Sequence, residues 1–183
     1  MKKYHPLSEK IVDILSKKIN TDTRHSFRVL TAYYLSKVAS MMRCNIQTQD
    51  RGVIPVNTYV LNLMISGAGK GYSTTFFDRE FMEYFKSKFL KNIFHQKAEE
   101  NIYTLAVEKA NILVNNGNSV ISMAEETDIQ VDKFTQQFNR LGELAFSFDS
   151  ATVPAVKQMR EKLLLASAGS MNLELDEIGS NLS

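Results

Sequence analysis

Apolar and polar residues follow two spacings along this chain, and these spacings predict most of its elements. Apolar positions three to four residues apart are typical of amphipathic helices. Helices are predicted over about Leu7–Ile19, Arg24–Arg43, Phe77–Leu113 and Val131–Leu141, and from Thr152-Val153-Pro154 to near Ala168. Residues 45–56, with a glycine and a proline among them, indicate a connection that could hold a short edge strand.

Three further segments have the patterns of strands. Tyr59–Ile65 is rich in Val, Leu and Ile and is broken only by Asn62, which predicts a buried strand. Leu144–Asp149 alternates apolar with small or polar residues, and Met171–Glu177 alternates before it ends in two acids. Helices and strands therefore alternate from residue 59 onward, and the expected fold class is α/β with an N-terminal helical layer.

A glycine-rich turn, Ser66–Gly71, joins the strand at Tyr59–Ile65 to the helical pattern that follows. Such a turn points successive backbone N–H groups into a concavity, and the helix N-terminus and Lys70 add positive charge. The turn departs from the G-x-x-x-x-G-K-[ST] pattern at two positions: Met64 replaces the first glycine, and Gly71 replaces the Mg²⁺-binding hydroxyl. We predict a phosphate-binding loop; the structural alternative is an ordinary tight turn before an exposed lysine.

A second motif, Asp176-Glu177, ends the last predicted strand. Asp176 would hold Mg²⁺ directly or through water, because this ion keeps much of its hydration and takes one or two carboxylates. Glu177 would orient and deprotonate an attacking water. The alternative is a strand that simply ends at the surface. The presence of both motifs in one chain favours a nucleoside triphosphatase.

Composition narrows the classes of protein further. The 183 residues are 44% hydrophobic and 23% charged, which is typical of a soluble globular protein. No apolar run approaches the roughly 20 residues of a membrane span, and no secretory signal follows the basic start. Cys44 is the only cysteine, and the three histidines are scattered, so a reducing cytoplasm is expected. The basic first half could face nucleic acid or form a solvated helix surface.

On these residues the chain resembles the P-loop ATPases of the additional-strand catalytic-glutamate class, which have a RecA-like fold. It is more narrowly similar to primase–helicase-like replication proteins of phages and mobile elements. The matching segments are Tyr59–Lys70, Thr152-Val153-Pro154 and Leu173–Glu177. The resemblance implies a partial RecA-like sheet flanked by helices. Residues 1–50 would be an N-terminal helical region, and residues 51–183 the front part of an NTPase domain that is incomplete at its C-terminus.

The resemblance also implies roles for particular residues. The nucleotide-binding residues would be Ser66, Gly67, Ala68, Gly69, Lys70, Gly71 and Tyr72. Lys70 and Glu177 would be catalytic, and Asp176 would hold Mg²⁺ together with Ser73. Since Gly71 has no hydroxyl, Ser73, Thr74 or water is expected to take the place beside the ion.

The function that this resemblance implies is an ATP-binding motor module of a DNA replication helicase or primase–helicase. Such a hydrolase would use ATP and Mg²⁺ when completed by downstream sequence or neighbouring subunits, with single-stranded DNA as a partner. It is expected to form a homo-oligomer without a membrane partner, in the host cytoplasm if the chain is phage-encoded. Two alternatives stay open: a small P-loop kinase, and a non-catalytic interaction module with a degenerate phosphate loop.

Overall fold

The computed structural model describes residues 4–20, 24–62, 69–149 and 151–174, and helices cover 68% of them. The α-helices are α1 Pro6–Ile19, α2 Arg24–Met41, α3 Lys70–Phe76, α4 Glu83–Lys88, α5 Phe94–Asn115, α6 Met123–Arg140 and α7 Val153–Ala166. Two π-helical segments, Phe77–Met82 and Phe89–Ile93, flank α4. The chain forms two compact units, Met1–Ser87 and Lys88–Ser183. The predicted boundary after residue 50 stays a prediction.

The first unit is built on α1 and α2, which pack against each other. Helix α1 begins with a proline in its first turn and is capped by His5, whose Nδ1 accepts from the Leu7 N–H at 3.3 Å. It ends where Asn20 adopts a left-handed conformation. The buried faces consist of Val12 and Leu15 on α1, and of Phe27, Leu30, Tyr34 and Met41 on α2. The prediction of both helices is confirmed, with ends that differ by at most two residues.

Charged side chains also join α1 to α2. Arg28 donates from Nε and Nη2 to the two carboxylate oxygens of Glu9, both at 2.8 Å. Arg24 donates to Glu9 at 3.1 Å and to Asp13 at 2.7 Å. The hydrogen bonds from Arg28, together with those from Arg24, lower the pKa of Glu9 from 4.5 to about 2, although partial desolvation opposes them.

An antiparallel hairpin follows α2 in the first unit. Its strands are β1 Asn45–Thr48 and β2 Gly52–Pro55, with Ile46 opposite Ile54. Gly52 has a φ of +69°, which the tight turn between the strands requires. The sequence indicated only a connection with a possible edge strand, because four-residue strands leave too short a pattern to distinguish from a loop.

The second unit is organised around α5, which contacts both α6 and α7. The buried face of α5 consists of one phenylalanine followed by smaller residues: Phe94, Ala98, Ile102, Ala106 and Ala110. The small side chains let the other helices approach closely, and Phe138 of α6 places its ring 5.9 Å from that of Phe94. Within the described ranges no helix has both the length and the apolar character that crossing a membrane requires.

Hydroxyl caps set the starts of α6 and α7. Ser122 accepts from the Glu125 N–H at 3.2 Å, and the Glu125 carboxylate accepts from the Ser122 N–H at 3.1 Å. This capping box starts α6 eight residues before the predicted Val131, and its Ser-x-x-Glu spacing is legible in the sequence. Helix α7 begins as predicted, since Thr152 accepts from the Ala155 N–H and Pro154 lies in the first turn.

The expected α/β class with a partial RecA-like sheet is wrong. The sheet found among the described residues is the antiparallel hairpin. Residues 59–62 of the first predicted strand have no regular structure, and Tyr59 is fully exposed. The segments at 144–149 and 171–174 share one parallel bridge, between Phe148 and Leu173. A short apolar run has the hydropathy that is typical of a strand. A strand also needs a neighbouring strand to pair with, and hydropathy does not show whether one is present. Residues 63–65 and 175–177 lie outside the described residues.

The charged cluster between α1 and α2 predicts an acid-sensitive first unit. The lowered pKa of Glu9 stabilises the folded state above its unfolded pKa of 4.5, and this stabilisation is lost as the pH falls toward 2. Glu9→Gln should lower the melting temperature at neutral pH, by an amount that shrinks between about pH 5 and pH 2. Thermal unfolding followed by circular dichroism measures this, with the exposed Glu80→Gln as the control. A difference that does not change with pH would contradict the prediction.

Candidate phosphate-binding site

The structure describes five of the ten residues predicted to bind nucleotide or metal or to act in catalysis. Gly69 immediately precedes α3, and the next four predicted residues, Lys70, Gly71, Tyr72 and Ser73, form the first turn of that helix. The other five, Ser66, Gly67, Ala68, Asp176 and Glu177, lie outside the described residues. The candidate site is therefore described from Gly69 onward, within the first unit.

Gly69 is glycine for two reasons that the structure makes explicit. Its φ of +81° and ψ of +18° are left-handed, a conformation that other residues adopt at a cost of about 1–2 kcal/mol. A Cβ at this position would also lie 2.6 Å from Cγ2 of Ile19, well inside van der Waals contact. Ile19, the last residue of α1, thus packs closely against Gly69 at the start of α3.

The first turn of α3 presents backbone N–H groups without a side-chain cap. Gly69 is the N-cap residue and has no side chain to donate or accept. Among the described residues, the first backbone hydrogen bond at this helix end joins the Ser73 N–H to the Gly69 carbonyl at 2.9 Å. The N–H groups of Gly71 and Tyr72 precede that bond, so the helix itself supplies them with no carbonyl partner. Both residues are exposed, and a Cβ on Gly71 would meet nothing within 4 Å.

The two hydroxyls near Gly71 bond to the backbone of α3. Ser73 is only 1% exposed, and its Oγ donates to the carbonyls of Gly69 at 2.8 Å and Lys70 at 2.9 Å. Thr74 Oγ1 lies 3.2 Å from the Lys70 carbonyl and 2.9 Å from that of Gly71. Such back-bonding satisfies carbonyls within the same helical turn. The role of either hydroxyl in holding Mg²⁺ stays a prediction.

Two lysines lie on or against α3, one at each end. Lys70 itself is half-buried at the start of α3, and Lys18 of α1 places its Nζ 4.6 Å from the ring centre of Phe76. In residues 4–20, 24–62, 69–149 and 151–174, no three His, Cys, Asp or Glu side chains cluster closely enough to hold a metal ion. Lys70 therefore supplies positive charge at the start of α3.

A cluster around Tyr34 supports α3 from α2. The Tyr34 ring stacks on Phe77 with centroids 4.5 Å apart and planes 4° apart. Its hydroxyl lies 3.0 Å from Oδ1 of Asp78 and 3.4 Å from the Thr74 carbonyl. Tyr34 is one of the buried residues of α2, but no local pattern in the sequence pairs it with a residue 44 positions away.

In the second unit, the segment leading toward Asp176 pairs with the segment that ends at Asp149. The Phe148 N–H donates to the Asn172 carbonyl at 3.0 Å, and the Glu174 N–H donates to the Phe148 carbonyl at 2.9 Å. The two segments run parallel, and α7 connects them. This is the connectivity of a strand–helix–strand unit, reduced to one bridge.

Comparisons with known proteins found no significant match to this chain. No protein-family model matches it, and neither a curated protein nor a solved structure matches it significantly. Function is therefore inferred from the geometry at Gly69–Ser73 and from the motifs in the sequence.

The two glycines at the start of α3 should respond in opposite ways to alanine. Gly69→Ala should lower the free energy of unfolding by about 1–3 kcal/mol, because it adds left-handed strain and a clash with Ile19. Gly71→Ala is the matched control and should raise it by up to about 1 kcal/mol, because it fills open space within a helix. Denaturant unfolding measures both, and equal effects would contradict the conformation assigned to Gly69.

Proposed function

We propose that this protein binds the phosphate groups of ATP through residues 66–72. The carrying observation is that the left-handed Gly69 lies directly before α3 and supplies no side-chain cap. Gly71 and Tyr72 are exposed, and a Cβ on Gly71 would meet nothing within 4 Å. Backbone N–H groups at a helix start, with the partial positive charge of that end, attract phosphate oxygens. Lys70 adds a full positive charge in the same turn.

This proposal requires only local geometry. A turn that aims several N–H groups at one point binds an anion whether the preceding segment is a strand or an irregular stretch. The described residues contain no parallel sheet, so a RecA-like fold does not support the proposal. Phosphate binding by the turn does not depend on that fold. Open space beside Gly71 also allows a bulky triphosphate to approach the backbone closely.

We further propose that the bound nucleotide is used by an ATP-hydrolysing module of a DNA replication helicase or primase–helicase. The support is the motif Asp176-Glu177, which comes shortly after Leu173 and Glu174 in the sequence. Asp176 would hold Mg²⁺, and Glu177 would activate water. A role for single-stranded DNA and for a homo-oligomer follows from the sequence resemblance, as part of the same proposal.

The second candidate function is a non-catalytic interaction module, and one observation favours it. On α1, Leu7 is 64% exposed and Ile14 is 48% exposed, although Val12 and Leu15 are buried. Helix α1 thus carries apolar side chains on its solvent side as well as toward the core. Failure of the folded chain to bind MgATP would favour this function over the first.

Lys70→Ala should weaken MgATP binding about tenfold, because the loss of a charge-assisted contact costs about 1.5–3 kcal/mol. Isothermal titration calorimetry measures the dissociation constant. Lys86→Ala is the matched control, since it removes an exposed lysine from α4 of the same unit. If the two variants bind MgATP as tightly as the wild type, the phosphate-binding proposal is wrong.

Asp176→Asn tests the metal role separately. The wild type should bind ATP more tightly with Mg²⁺ than without it, and the variant should lose most of that difference, about tenfold in affinity or 1.4 kcal/mol. Glu174→Gln, which neutralises an acid two residues earlier, should keep the difference. An unchanged Mg²⁺ dependence in Asp176→Asn would remove Asp176 from the metal site while leaving the phosphate proposal standing.

A further inference from the structure

One side of α1 exposes both apolar and positively charged side chains. Leu7, Lys10, Ile14 and Lys17 are all exposed, and their spacing of three, four and three residues places them along one side of the helix. We call these four residues the α1 strip. Among the described residues, neither lysine of the strip has an ion-pair partner. The strip therefore presents two apolar side chains next to two positive charges.

Helix α6 carries the opposite charge on an exposed side. Asp128 and Asp132 are exposed and lie one turn apart, and Ile129 between them in the sequence is 41% exposed. Neither aspartate forms an ion pair within the part of the chain that the structure describes. Lys133 interacts electrostatically with Glu126, seven residues earlier on another side of α6. We call Asp128, Ile129 and Asp132 the α6 face.

The two compact units differ in charge in the same sense as the two surfaces. Met1–Ser87 contains 13 Lys and Arg against 7 Asp and Glu, whereas Lys88–Ser183 contains 9 against 13. The first unit is thus positive and the second negative at neutral pH. Opposite charges on two surfaces steer their encounter, and like charges suppress the wrong pairing. The first unit of one copy is therefore a better partner for the second unit of another copy than for a second first unit.

We infer that the chain associates head to tail with copies of itself, and that the α1 strip of one copy binds the α6 face of the next. The apolar side chains of strip and face come together, and the two lysines meet the two aspartates. Because the contact joins two different surfaces, each copy keeps one of them for a further copy. The inference locates the contact that the proposed homo-oligomer needs. It rests on that part of the proposed function and is independent of nucleotide binding.

Single-stranded DNA and an anionic lipid surface also carry the charge that the two lysines attract. Neither partner accounts for the exposed isoleucine beside two acids on α6. A helix that lies in a membrane interface buries its apolar face there, whereas Val12 and Leu15 of α1 are buried within the protein. A second copy of this chain accounts for the strip and the face together.

Charge reversal tests the contact from both sides. Lys10→Glu with Lys17→Glu makes the strip acidic, and Asp128→Lys with Asp132→Lys makes the α6 face basic. The variant with all four substitutions exchanges the two charges and keeps the net charge of +2. Sedimentation velocity of the full chain over a range of concentrations measures self-association, and circular dichroism checks that each variant is folded.

The control and an uncharged variant complete the set. Lys86→Glu with Lys157→Glu is the matched control, because it reverses two exposed lysines outside the strip and changes the net charge by the same amount. Leu7→Ser removes an exposed apolar side chain without changing any charge. It tests the same contact if a charge-reversed variant folds poorly.

The wild type should gain mass with concentration at low salt, and much less at about 1 M salt, where the Debye length is about 3 Å. Each double reversal should weaken self-association at least about tenfold, because two attractive pairs become repulsive. The fourfold exchange should restore most of it, and an equimolar mixture of the two double variants should associate. Leu7→Ser should weaken self-association about three- to tenfold, and the lysine control should match the wild type.

Self-association that neither double reversal nor Leu7→Ser changes would overturn the inference and leave the proposed homo-oligomer standing. A wild type that stays monomeric at every concentration would remove both. If the wild type stays monomeric and the lysine reversal weakens binding of single-stranded DNA or of anionic phospholipid vesicles, the strip serves that other partner and the inference is wrong. Calorimetry of the wild type with MgATP judges the nucleotide proposal separately, because the strip and the face contain no residue of the phosphate-binding turn.

Discussion

The contact between Ile19 and Gly69 is the constraint on which the first unit's candidate site depends. It brings the end of α1 against the start of α3, although these residues are far apart in the chain. The glycine must be left-handed to begin the helix there, and it must lack a Cβ to admit Ile19. Because both requirements fall on one residue, the packing of α1 against Gly69 holds the start of α3.

This arrangement gives the hydroxyls of Ser73 and Thr74 a structural role in the first turn of α3. Both satisfy carbonyls of residues 69–71, at distances of 2.8–3.2 Å. A hydroxyl that donates to a carbonyl still has lone pairs, but Ser73 is buried, and its oxygen would have to rotate to meet a ligand. The backbone and Lys70 are therefore better placed to contact an anion than the side chains of the following residues.

The sequence predicted the helices well because each helical signal is local. His5, Thr152 and the left-handed Asn20 all act within one turn of the residue they cap, and the apolar spacing of α1 and α2 spans only those helices. The Ser122–Glu125 capping box was equally legible, and reading it would have placed the start of α6 correctly. Gly69 of the predicted turn has a left-handed conformation, which glycine adopts most readily.

The strands and the surroundings of the site could not be predicted in the same way. A strand requires a partner, and residues 59–62 pair with none of the described strands. Hydropathy alone therefore predicted a strand where these residues have no regular structure. The Tyr34–Asp78 contact and the bidentate pair between Glu9 and Arg28 join residues many turns apart. Such pairings depend on how helices cross, which a one-dimensional pattern does not contain.

The failure of the RecA-like prediction separates fold from site. The sequence resemblance implied both the fold and the site. In that class of ATPases one strand leads into the phosphate-binding turn, and a second strand ends in the acidic pair. Here a largely helical unit carries Gly69 and α3, and the segment toward Asp176 keeps one parallel bridge to Phe148. Phosphate recognition depends on a few N–H groups and one cation, which many scaffolds can present. The chemistry proposed at Gly69–Tyr72 therefore stands or falls on nucleotide binding, whatever sheet accompanies it.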